Sequence, residues 1–148
     1  MKNLVIGGAG FIGSNLVKRL LENNEKICVI DDLSRKGTAN LKKKLGFEKE
    51  YDFHRINICD AKKVSKFFEN RKFENIFLLA GQVAVTTSLT NPRLDLNSNI
   101  VGCFNVLEAL RVGKSKSKII FASTNKVYGK LENLKTLKSN NGYTLKNY

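Results

Sequence analysis

Lys2-Asn3-Leu4-Val5-Ile6-Gly7-Gly8-Ala9-Gly10-Phe11-Ile12-Gly13-Ser14-Asn15-Leu16-Val17 is the stretch on which the reading of this sequence turns. Its first part is a short unbroken apolar run, the pattern of a strand buried on both faces. Its last part sets Ile12, Leu16 and Val17, and beyond them Leu20 and Leu21, at helical spacing. Between the two lies G-x-x-G-x-x-G, formed by Gly7, Gly10 and Gly13. In that setting Gly7 allows the tight turn out of the strand, Gly10 lets backbone approach a pyrophosphate, and Gly13 lets helix and strand pack closely. The helix N-terminus then turns free N–H groups and a partial positive charge toward the phosphates, so no lysine is needed to hold the anion. A merely flexible glycine turn does not account for the match in position and context.

Outward from this stretch, apolar runs of similar length alternate with longer amphipathic segments, which is the signature of βαβ units around a parallel sheet. Strands are expected at 2–7, 26–31, 52–56, 75–79 and 118–122. Helical spacing recurs at Val64, Phe67 and Phe68, and Ile100, Phe104, Leu107 and Leu110 are expected to form the apolar face of a long helix beginning after Pro92. The fold class is therefore α/β, a Rossmann-like, doubly wound parallel sheet truncated after about five strands. Residues 1–129 are expected to form its dinucleotide-binding lobe. From 130 to 148 the pattern loses its period, and Ser139-Asn140-Asn141-Gly142 reads as a turn rather than as the start of another element. That tail is expected to be incomplete and to lead toward a missing catalytic and substrate lobe.

Asp31 closes the second expected strand, where a carboxylate can accept hydrogen bonds from both hydroxyls of an adenosine ribose and repels a 2′-phosphate. This favours NAD over NADP, although Arg35 just beyond is an alternative phosphate partner. Asp32 beside it reads first as a turn residue and second as a cofactor contact.

Composition narrows the classes. The chain has 148 residues, 42% of them hydrophobic and 26% charged, which suits one globular domain and excludes coiled coil and disorder. No apolar run reaches the ~20 residues of a membrane span, and the start resembles neither a signal nor a transit peptide, so no membrane partner and a cytoplasmic setting are expected. Cys28, Cys59 and Cys103 are odd in number and widely spaced, which disfavours disulfide and zinc frameworks; no metal is expected, and small buried thiols are the simpler reading. The net charge of +13 raises nucleic acid as a partner, but the lysines are dispersed and few aromatics interleave with them, so a solvated basic surface and no nucleic acid are preferred. His54, the only histidine, reads as a strand-end residue rather than a catalytic base.

Gly7 to Gly13 with Asp31, Leu79-Ala80-Gly81 after the fourth strand, and Ser123-Thr124-x-x-Val127-Tyr128-Gly129 after the fifth resemble the extended short-chain dehydrogenases/reductases, in particular the NAD-dependent epimerases and dehydratases of nucleotide sugars. The longer stretches Leu79 to Ser88 with Asn91-Pro92, Ser123 to Gly129, and Asp32 to Gly37 are similar to a subgroup of CDP-sugar 2-epimerases. The resemblance runs along essentially the whole chain and covers only the first part of a family member. It implies a cofactor site of Gly7, Gly10, Phe11, Ile12, Gly13, Asp31, Asp32, Asn57, Ile58, Leu79, Ala80, Gly81, Gln82, Asn99 and Ser123. It also implies Thr124 as the hydroxyl that polarises the reacting sugar oxygen, and Thr86, Thr87 and Ser88 as sugar contacts. The implied partners are a nucleotide sugar, in this subgroup a CDP-sugar, and a second copy of the chain in a homo-oligomer. Read without the family, hydroxyls after a strand are ordinary capping residues. Asn125 and Lys126 mark the subgroup, and Tyr128 suits packing.

The sequence departs from the family in several places. Asn57 stands where an aspartate usually receives the adenine amino group; its amide oxygen can accept that bond without charge assistance. Ile6, Ala122, Cys103 and Lys130 replace a common threonine, serine, threonine and aspartate, and no essential chemical group is lost with them. The family's catalytic base is a tyrosine whose pKa is lowered by a lysine four residues later. Here Tyr51 is followed at that spacing by Arg55, Tyr128 by Glu132 and Tyr143 by Asn147, and Tyr148 is the last residue. Three readings remain open: part of an epimerase, part of a related dehydratase or reductase, or a non-catalytic dinucleotide-binding fragment.

Overall fold

Five parallel strands carry the chain: β1 (Asn3–Ile6), β2 (Ile27–Asp31), β3 (Asp52–Arg55), β4 (Asn75–Leu78) and β5 (Lys118–Phe121), in the sheet order β3-β2-β1-β4-β5. The computed structural model describes residues 2–39, 51–124, 127, 134–140 and 142–146. Each strand coincides with an expected one to within a residue or two at its ends. The sequence order reverses between β1 and β4, and in open parallel sheets ligands bind beyond the carboxyl ends of the strands at such a reversal.

Side-chain alternation sorts the core into two layers. Val5, Ile27 and Val29 point to one face, where they meet Val17 of α1 (Phe11–Glu22). Leu4, Ile6, Cys28, Ile30, Ile76 and Leu78 point to the other, against Val64, Phe67 and Phe68 of α2 (Ala61–Phe68) and Val106 and Leu110 of α5 (Gly102–Val112). Leu4, Ile6, Ile30, Ile76 and Leu78 are fully buried, and burial of each such side chain stabilises by about 1.5–3 kcal/mol. Asp60 caps α2 by accepting the Lys63 N–H at 3.1 Å.

Between β4 and β5 the chain forms α3 (Val85–Thr90), then α4 (Pro92–Asp95), a π-helical stretch Leu96–Val101, and α5. Pro92 occupies the first turn and the Asn91 side chain accepts the Leu94 N–H at 3.2 Å, so the start after Asn91 follows from local chemistry. The apolar stripe differs from expectation. Leu110 is buried, but Ile100 and Phe104 are each 61% exposed and Leu107 is exposed as well; the inward face is Gly102, Val106 and Leu110. The wider π turn shifts the helical phase, and Gly102 must face inward because a Cβ there would lie 2.6 Å from the Ile58 side chain.

Among the described residues β5 pairs with β4 alone, and Ile119, Ile120 and Phe121 are exposed, unlike the strands at the centre of the sheet. The tail also corrects the sequence reading. Thr136–Ser139 (β6) and Gly142–Leu145 (β7) pair as an antiparallel hairpin around the expected turn, with Gly142 at φ +124°. Both strands are exposed and mostly polar, so no buried face imprints an alternating pattern on the sequence. Asn125, Lys126 and Tyr128 lie outside the described residues.

Candidate dinucleotide site

The loop from Gly7 to Gly13 is held by its own backbone. Gly7 has φ +84°, a conformation that favours glycine, and donates its N–H to Ile30 O at 2.8 Å, tying the loop to the end of β2. A Cβ on Gly7 would come within 2.6 Å of Ala80 N, so the loop after β1 and the loop after β4 are in contact at the sheet's reversal point. A Cβ on Gly13 would sit 2.1 Å from Gly7 O. Gly10, by contrast, has only Gly7 O nearby, at 3.2 Å from its notional Cβ. No side chain caps α1 at Gly10, which leaves first-turn N–H groups without intrahelical partners facing outward. Phe11 and Ile12, at that same terminus, are strongly exposed.

Asp31 at the end of β2 fastens this loop. Its Oδ2 accepts the Ala9 N–H at 2.9 Å and its Oδ1 accepts the Leu33 N–H at 2.9 Å. Burial pushes its carboxyl above the usual range, against the downward pull of those two bonds. Each oxygen keeps a lone pair for a further donor. Asp32 spends its Oδ1 on the Ser34 N–H at 2.9 Å and its carbonyl on Arg55 Nε at 3.1 Å, the turn role expected first.

The remaining expected contacts gather at the same end of the sheet, on loops fastened to the helix after β4. Asn57 Oδ1 accepts the Cys59 N–H at 2.8 Å, which leaves one lone pair of the amide oxygen for a ligand. Ile58 is buried under Gly102, and its carbonyl accepts from Asn105 Nδ2 at 2.9 Å. Leu79 continues β4 and donates to Ile6 O at 2.9 Å. Ala80 and Gly81 lie between Gly7 and Asn99. Asn99 accepts the Gln82 N–H at 2.8 Å and donates back to Gln82 O at 3.0 Å, a two-point clamp. Ser123 and Thr124 follow β5 and are exposed.

The three sugar-contact candidates, Thr86, Thr87 and Ser88, lie on α3. Ser88 donates its hydroxyl to Ala84 O at 3.1 Å, within its own helix, so that hydrogen is spent locally. Asn105 and Gly102 were not singled out in the sequence. The available signal was an amide and a glycine inside an apolar helix, which implies a partner across a tight contact.

A parallel sheet with a glycine loop and an acid-closed second strand, both at its reversal point, defines a dinucleotide-binding α/β domain. Residues 4–144 match the family described as GDP-mannose 4,6 dehydratase, and the chain belongs to that family. It is 40% identical over 144 residues to CDP-paratose 2-epimerase of Salmonella typhi, covering 97% of this chain and 43% of that one. Among solved structures, UDP-Glc/GlcNAc 4-epimerase of Campylobacter jejuni aligns with a TM-score of 0.77 at 34% identity, over 86% of this chain and 38% of its own. UDP-glucose 4-epimerase of Thermus thermophilus, in complex with NAD, aligns with a TM-score of 0.70 at 35% identity, over 84% and 38%. The chain thus spans about two fifths of the length of these relatives, which are nucleotide-sugar epimerases; dehydratases occur among the others. Among the described residues no helix is long and apolar enough to cross a membrane.

Proposed function

We propose that this chain is the NAD-binding N-terminal part of a nucleotide-sugar epimerase of the CDP-paratose 2-epimerase kind. The observation that carries the reading is the Asp31 carboxylate, fixed by the Ala9 and Leu33 N–H groups beside a glycine loop whose middle member, Gly10, has only Gly7 O near its notional Cβ, at 3.2 Å. These features fit a dinucleotide. The gap at Gly10 and the first turn of α1 receive the pyrophosphate, and Asp31 accepts from the adenosine ribose and disfavours a 2′-phosphate. Phe11 and Ile12 flank the phosphates, Asn57 and Ile58 border the adenine, and Leu79 to Gln82, held by Asn99, lie beneath the nicotinamide-side ribose, with Ser123 near the nicotinamide.

When bound, NAD⁺ supplies a reversible hydride acceptor. Thr124 donates a hydrogen bond to the sugar oxygen being oxidised, and Thr86 and Thr87, with Ser88 as acceptor only, border the sugar. Removal of the sugar's C2 hydrogen and its return to the opposite face then inverts that carbon. Residues 1–129 hold the cofactor, and the sugar's own lobe and the tyrosine–lysine base lie outside these 148 residues. Three free cysteines suit a reducing, cytoplasmic compartment, and the outward stripe of Ile100, Phe104 and Leu107 supports association of two copies.

A specific observation favours a second reading. No tyrosine in the sequence has a lysine four residues on, which suits a dinucleotide-binding protein without catalysis of its own. A chimera separates the possibilities: residues 1–148 joined to the C-terminal remainder of the Salmonella enzyme, or to that of a dTDP-glucose 4,6-dehydratase. The proposal expects C2 epimerisation of CDP-paratose by the first chimera. Activity in the dehydratase chimera alone would favour the dehydratase reading, and two folded, inactive chimeras that bind NAD would favour the non-catalytic one.

A further inference from the structure

Three side chains that the dinucleotide site does not use converge between β2 and β3, below the carboxyl end of the sheet. Strand register sets Cys28 of β2 opposite Asp52 of β3, and His54 lies two residues further along β3, on the same face. Both polar contacts of this group end on one oxygen: Asp52 Oδ2 lies 3.7 Å from Cys28 Sγ and 2.8 Å from His54 Nε2. The three ligand atoms all lie within 4.8 Å of one another. Cys28 is three residues before Asp31, about 10 Å along the strand at 3.3 Å per residue, and His54 is level with Ile30, one residue before Asp31.

We propose that Cys28, Asp52 and His54 form a zinc site that staples the edge strand β3 to β2. Thiolate, carboxylate and imidazole are the donor types zinc takes, with bonds of about 2.0–2.3 Å. Tetrahedral geometry with such bonds separates neighbouring donor atoms by about 3.3–3.8 Å. The sulfur–oxygen distance already falls in that range, the nitrogen–oxygen pair needs to open by about half an ångström, and the sulfur–nitrogen pair, within 4.8 Å, needs to close by up to about 1.3 Å. Zn²⁺ replaces the thiol proton, which leaves to solvent, and takes the lone pair of His54 Nε2. The dication with one thiolate and one carboxylate is neutral, which suits a site with a fully buried sulfur.

The surroundings are consistent with this role. The Asp52 and His54 side chains are 36% and 25% accessible, enough for the metal to enter and for a water to take the fourth position. Phe67 packs edge-on against the His54 ring at 5.0 Å between centroids and fixes its orientation. Among the described residues β3 pairs with β2 alone, so a cross-strand bond would act at an edge of the sheet.

Cobalt(II) titration of the full chain under reducing conditions tests this. The expected result is one equivalent bound with a thiolate-to-cobalt charge-transfer band, displaced by zinc, and kept when Cys59 and Cys103 are both changed to serine. Cys28→Ser should abolish the band, and His54→Gln should weaken binding by more than about 100-fold, since even outer partners of metal ligands are worth 10–100-fold. Circular dichroism reports whether each variant folds, and His54→Gln decides the matter if Cys28→Ser does not. Absence of the band in the folded parent chain, its persistence in Cys28→Ser, or unchanged affinity in His54→Gln would overturn the proposal.

Discussion

Adding one methyl group at Gly13 and one at Gly10 should weaken NAD binding in both cases but lower stability mainly at Gly13, because the two glycines face different things. An alanine Cβ at 13 would lie 2.1 Å from Gly7 O and 2.7 Å from Gly8 Cα. Gly7 cannot withdraw: its N–H is bound to Ile30 O at 2.8 Å, and the Ala80 backbone stands behind it. Relief requires moving the start of α1 by close to an ångström, and overpacking of this kind costs about 1–3 kcal/mol. At about 4 °C per kcal/mol for a chain of this size, Gly13→Ala lowers Tm by roughly 4–12 °C. It also turns the first-turn N–H groups away from the phosphates, so NAD affinity falls with stability. Gly10→Ala meets only Gly7 O, at 3.2 Å, and Gly10 has an ordinary φ of −71°. Its Tm should stay within about 2–4 °C of the parent, equivalent to less than 1 kcal/mol. Its new methyl occupies the space proposed for the pyrophosphate, so NAD affinity drops more than about tenfold, or 1.4 kcal/mol, and the larger Gly10→Val abolishes binding. Differential scanning calorimetry and NAD titration of the variants give both numbers. Gly13→Ala with the parent's Tm would refute the packing argument, and Gly10→Val with the parent's NAD affinity would refute the phosphate loop.

Three further outcomes follow from the site. Burial raises the Asp31 carboxyl above its ordinary value near 3.8, so the folded state holds this proton more tightly than the unfolded one and the group's contribution to stability falls as pH rises through that window; Asp31→Asn should flatten that part of a Tm-against-pH curve. Asn99→Ala removes both bonds to the Gln82 backbone; it should cost about 1 kcal/mol of stability and weaken NAD several-fold, read by thermal melts and calorimetry. The 148 residues alone should not convert CDP-paratose to its 2-epimer, because a positioned acid–base group contributes about 10²–10⁴-fold and no tyrosine–lysine pair is present; steady turnover by homogeneous protein would contradict this.

What the sequence revealed and what it hid have physical causes. The strands were legible because parallel strands covered on both sides must be unbroken apolar runs, as in Ile27-Cys28-Val29-Ile30. The glycine loop was legible because its spacing is dictated by backbone contacts rather than by side chains. Helix α3 was hidden because Val85-Thr86-Thr87-Ser88 is rich in β-branched residues of low helix propensity. The outward turn of Ile100 and Phe104 was hidden because a π turn breaks the 3.6-residue period on which the stripe was read. The Asn99 clamp on Gln82, 17 residues away, was implied only by family resemblance. The Cys28–Asp52–His54 cluster left no spacing signal at all, since strand register alone brings residues 24 apart into contact.

The central claim is that Asp31 and the glycine loop make this chain an NAD site, and calorimetric titration of the purified 148-residue protein with NAD⁺ and NADP⁺ tests it most directly. The account predicts one NAD⁺ bound per chain, with NADP⁺ weaker and the difference narrowed in Asp31→Ala. Binding of neither cofactor by folded protein, or NADP⁺ binding as tight as NAD⁺, would contradict it.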